Sequence, residues 1–71
     1  MEEVKDGDTI NVDGIEYRIG ESSAKAINIW LKLSERAPNA EDMPIHLYRV
    51  ASRGEDFVPA SKIKESLQKK E

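Results

Sequence analysis

The chain predicts an α+β domain, and three observations carry that prediction. Two alternating segments are joined by Asp13-Gly14, a helix-length segment runs from Ser22 to Ala37, and a run rich in β formers spans Ile45 to Ser52. Together they predict a β-β-α-β-α order. The expected architecture is a small three-stranded, mainly antiparallel sheet with an N-terminal β-hairpin, one packed helix across its apolar face and a short C-terminal helix at its edge. All of residues 1-71 are expected to form this single small domain. A chain of 71 residues buries only about 60% of the surface its unfolded form exposes. Self-association as a homodimer would supply some of the core that the chain lacks.

The hairpin is read from Asp8 to Ile19, "DTINVDGIEYRI". A two-residue turn at Asp13-Gly14 sets Val12 opposite Ile15, Ile10 opposite Tyr17 and Asp8 opposite Ile19. Alternation then gathers Ile10, Val12, Ile15, Tyr17 and Ile19 on one side and leaves Thr9, Asn11, Glu16 and Arg18 on the other. A two-stranded ribbon is barely stable alone, so later elements must cover its apolar side.

The stretch "ESSAKAINIWLKLSERAP" admits two readings. As a helix it opens at Ser22 or Ser23, which can cap free N–H groups, and stops before Pro38. Ala26, Ile27, Trp30, Leu31, Leu33 and Ala37 then form its apolar stripe, with Ile29 misplaced and Trp30 as a core anchor. As a strand, Ile27, Ile29, Leu31 and Leu33 alternate with polar neighbours, but the Ser-Ala-Lys-Ala lead-in and the Ser-Glu-Arg-Ala tail have no role. The helix accounts for more of the segment and is preferred.

Pro38 and Pro44 bracket a loop. Ile45 to Ser52 reads as a central strand, because both of its faces are partly apolar. Arg53 to Asp56 turns the chain, Phe57 and Val58 enter the core, and a short helix begins near Pro59, with Ala60, Ile63 and Leu67 as its apolar stripe.

The string "GEDFVPASKI", Gly54 to Ile63, resembles the closing segment of SH3-like barrels, in which a similar string crosses a short turn into the last strand. The resemblance covers ten residues. The opening aliphatic-tyrosine motif and paired tryptophans of SH3 domains are absent, so no proline-rich-peptide site carries over. If Ile27 to Leu33 were a strand, the resemblance would imply the alternative fold, an SH3-like small β-barrel with a C-terminal helix.

Composition narrows the chemistry. The chain has no cysteine and one histidine, which removes disulfides and thiolate metal sites and disfavours zinc. The acidic start lacks the basic and apolar regions of a signal peptide, and the longest apolar run is Ile29-Trp30-Leu31. A cytoplasmic protein without membrane association is the simplest expectation. "DGDTINVD" does not keep the ligand spacing of a calcium loop and reads as turn residues. His46 has no second histidine and no recognisable nucleophile motif near it. There is no phosphate-cradling glycine loop and no dinucleotide fingerprint. The expectation is therefore not an enzyme, with no cofactor.

The net charge is −3, but it is unevenly spread. Seven acids stand against Lys5 and Arg18 between Met1 and Glu21, whereas four lysines stand against two acids from Pro59 onward. Asp6, Asp8, Asp13, Glu16 and Glu21 are either a solvated rim that keeps the chain soluble or the candidate partner-binding surface, an acidic hairpin suited to a basic, nucleic-acid-binding protein. In size and charge the chain resembles small inhibitors of phages and mobile elements that occupy the nucleic-acid site of a host protein. The alternative is a small nucleic-acid-binding or regulatory domain using a basic patch of Lys62, Lys64, Lys69 and Lys70. The acidic total makes direct binding of nucleic acid the weaker expectation.

Overall fold

In the computed structural model, residues 3–68 are described. The elements are β1 (Thr9–Val12), β2 (Ile15–Arg18), α1 (Glu21–Arg36), β3 (Pro44–Arg49), β4 (Glu55–Pro59) and α2 (Ala60–Gln68). They form a four-stranded antiparallel sheet in the order β1-β2-β3-β4 with two helices, an α+β architecture. The hairpin register is the expected one, with Ile10 opposite Tyr17 and Val12 opposite Ile15. Asp13 and Gly14 have φ of 54° and 85°, the left-handed pair that a two-residue type I′ turn requires.

The expected three-stranded sheet is corrected to four strands. Glu55 to Pro59 is a strand rather than a turn running into a helix, and α2 starts only at Ala60. Acids and proline argue against a strand by composition, but β4 is the last strand of the sheet. Arg49 N–H bonds Gly54 O and Ala60 N–H bonds Met43 O. With the β3–β4 register, those bonds turn the backbone groups of Asp56 and Val58 toward β3 and those of Glu55, Phe57 and Pro59 away from it. Pro59 therefore costs no ladder bond, as expected only at a sheet edge.

The segment left between two readings is the helix α1. The SH3-like barrel alternative gives way accordingly: the Gly54 to Ile63 string passes from β4 into α2, not into a final strand. Gly20, not a serine, is the N-cap residue of α1. Ser23 lies inside the helix and donates its hydroxyl to the backbone carbonyl of His46. That carbonyl faces the β2 side just beyond the end of β2, so Ser23 satisfies an acceptor that the strand no longer reaches.

One core joins the two helices to the sheet. Ile10, Val12, Tyr17, Ile19, Ile45, Leu47 and Val58 meet Ile27, Trp30 and Leu31 of α1 and Ala60 and Ile63 of α2. Trp30 also donates Nε1–H to Glu41 O at 2.9 Å, pinning the loop between α1 and β3. Leu33 and Ile29 face solvent, the former against expectation. Phe57, placed in the core by the sequence reading, is 72% exposed. Its neighbour Val58 takes the inward position, because alternation sends adjacent strand residues to opposite faces. The outer edge of β1 is covered by α2, where Ser66 Oγ donates to Asn11 O.

Candidate functional site

The sheet buries one face under the helices and presents the other to solvent. The register sets Thr9, Arg18, Tyr48 and Glu55 side by side across all four strands, with His46 opposite Phe57 in the next row. Strand alternation puts all six side chains on the open face. Arg18 Cζ stands 5.4 Å from the centre of the Tyr48 ring. The His46 ring lies 4.9 Å from Tyr48 and 5.2 Å from Phe57, centre to centre. His46 Nε2 contacts Glu55 Oε1. The result is a continuous stripe of one cation and three rings, flanked by Glu16 and Glu55. A cleft of about 240 Å³ beside Phe57, lined by Asp42, Met43, Pro44 and Pro59, extends its apolar end.

The helix-covered side of the sheet carries a second cleft, of about 360 Å³, where Ile15, Tyr17, Asp56 and Val58 are among the lining residues. Tyr17 Oη donates to Asp56 at 2.8 Å, and Arg49 holds the same carboxylate through Nε and a terminal nitrogen, each at 2.8 Å. The Arg49 guanidinium, then the Tyr17 hydroxyl, depress the Asp56 pKa to about 2. The same hydrogen bond and burial raise that of Tyr17 above its ordinary value. Both groups are thereby held in single protonation states near neutrality, a cross-link rather than a proton relay.

The five candidate acids are not gathered into one array. Gly7 N–H bonds Ile19 O, and Ile19 N–H bonds Asp8 O, so Asp6 and Asp8 lie where the chain enters α1 at Glu21. Asp13 is at the far end of the hairpin and pairs with Lys62 at 2.7 Å. Glu16 is on the open face. Glu21 lies 3.9 Å from Lys25, and Asp8 accepts the Lys5 N–H. The basic alternative is also dispersed. Lys62 reaches the hairpin tip, whereas Lys64 reaches Ser34 Oγ at 3.2 Å and stands 5.9 Å from the centre of the Trp30 ring. Lys69 and Lys70 lie outside the described residues.

The stripe of His46, Tyr48 and Phe57 escapes the sequence reading, which places Tyr17, Trp30 and Phe57 in the core. Only Tyr17 and Trp30 are buried. The available signal was the i, i+2 spacing of His46 and Tyr48 on a face opposite Ile45 and Leu47. Among the described residues, no cluster of His, Asp or Glu is arranged to hold a metal ion, and no helix is long and apolar enough to cross a membrane. No family model matches the chain, and comparisons with curated proteins and with solved structures return no match.

Proposed function

We propose that this chain is a non-enzymatic protein-binding module that docks a basic partner on the open face of its sheet. The observation that supports this reading best is Phe57, 72% exposed and continuous with His46 and Tyr48. Rings held rigidly on a strand cost little conformational entropy on binding and favour cationic side chains over their faces. Glu16 and Glu55 add charge of the complementary sign, and Asp6, Asp8 and Glu21 at the start of α1 extend the attraction over distance. The partner class is the one expected from the sequence, a basic protein that itself binds nucleic acid, with inhibition by competition as the biological outcome.

The test is affinity capture from nuclease-treated lysate with three baits: the natural chain, Tyr48→Ser, and the pair Glu16→Lys with Glu55→Lys. A basic protein held by the natural chain, released at moderate salt and lost with both variants supports the reading. Equal retention on all three baits removes it. A mobility shift of labelled DNA or RNA at low salt would instead favour the nucleic-acid-binding alternative.

A further inference from the structure

The β3–β4 register turns the backbone groups of Glu55 and Phe57 to the outward side of β4, away from β3. That side displays the N–H and C=O of both Glu55 and Phe57, whereas Pro59, the residue before α2, has no N–H and gives its carbonyl to the first turn of the helix. We propose that this edge pairs with the same edge of a second copy, antiparallel and with Phe57 on the two-fold axis. The pairing goes beyond the binding reading and does not depend on it.

The register follows from charge and from donors. With Phe57 opposite Phe57, each Phe57 N–H meets the other's carbonyl. Asp56 then faces the partner's Val58. Sliding the strands so that Glu55 meets Phe57 would set Asp56 directly against Asp56, and like charges directly opposite destabilise a pair. Sliding them the other way sets Phe57 against Pro59, which has no N–H to give. The remaining register also brings the acidic start of β4 alongside the partner's α2 entrance, where Lys62 stands. It covers the most exposed large apolar side chain of the described residues, Phe57. An aromatic cross-strand pair at the axis contributes further. The two open faces then form one eight-stranded surface.

The chain has no cysteine, so a single introduced thiol reports on the axis. Residues facing each other in a hydrogen-bonded antiparallel pair have Cα atoms about 5.5 Å apart, within disulfide range. Expected results are a sedimentation mass of twice the chain at high concentration, and oxidation of Phe57→Cys to a covalent dimer at least about tenfold faster than Val50→Cys. Phe57→Asp, with an unchanged circular dichroism spectrum, should sediment as a monomer. A natural chain that stays monomeric up to about 1 mM, or a dimer whose Phe57→Cys form cross-links no faster than Val50→Cys, overturns the proposal.

Discussion

Tyr17 and Asp56 sit on strands that are not neighbours, yet a 2.8 Å hydrogen bond joins them across β3. Arg49, on the intervening strand, binds the same carboxylate. The cluster ties the hairpin to the outer half of the sheet at the place where the direct β2–β3 register is only two residue pairs long.

The pH dependence of stability follows from it. The Asp56 pKa falls from 3.8 to about 2 on folding, so its contribution is complete above the unfolded value and is lost as pH drops through that window. Urea unfolding between about pH 5 and pH 2 should show the decline, and Asp56→Asn should flatten it. Tyr17 has the opposite sense. Its raised pKa makes the neutral phenol the favoured form, so its contribution is present below the ordinary phenol value and lost as pH rises above it. Phenolate absorbance in Asp56→Asn should show Tyr17 ionising at lower pH than in the natural chain.

Adjacent residues of α1 should respond in opposite ways to truncation. Trp30 is buried and hydrogen-bonded to the following loop, whereas Ile29 is 68% exposed. Trp30→Ala should cost about 3–5 kcal/mol, a large part of the stability available to so small a domain. Ile29→Ala should change stability by no more than about 0.5 kcal/mol. Denaturant titration of the pair decides it, and equal losses would place α1 in the wrong rotation.

Asp42 caps α2 from outside the helix. Its carboxylate accepts the Ser61 N–H at 2.9 Å and the Ser61 hydroxyl at 2.6 Å, a task that Pro59, immediately before the helix, cannot perform. The Ser61 hydroxyl, foremost, lowers the Asp42 pKa, so this contribution too is present above the carboxylate range and lost on acidification. Asp42→Ala should cost about 1 kcal/mol and speed amide exchange in the first turn of α2 relative to β3.

Ser23→Ala strands the His46 carbonyl that β2 does not reach. Losing the bond to this half-buried acceptor costs about 1 kcal/mol, so the variant should melt earlier while keeping its spectrum. Ser22→Ala, one residue away and exposed, should be close to neutral.

The hairpin register was legible, because the Asp-Gly turn and five apolar residues in strict alternation admit one pairing, although Ile15, one of the five, is left 43% exposed. Trp30, Ile27 and Ile63 were legible as core from helical spacing. β4 was not, since its five residues carry two acids and a proline, and only its position at the sheet edge makes them tolerable. The site was lost with it. Without β4 as a strand, Phe57 had no reason to share a face with His46, and its ring was counted as filling. The acids were visible as charges, but their dispersal among the hairpin tip, the open face and the start of α1 is a property of the fold.

The covering of β1 by α2 has a consequence for stoichiometry. With Ser66 bonded to Asn11, one end of the sheet is closed and β4 is the other. A molecule with one sticky side satisfies itself in a single encounter and leaves nothing for a third to join. Under the edge pairing proposed above, growth into fibres, the hazard of any bare strand, is closed off by topology, and concentrated solutions should hold particles of uniform size rather than gel.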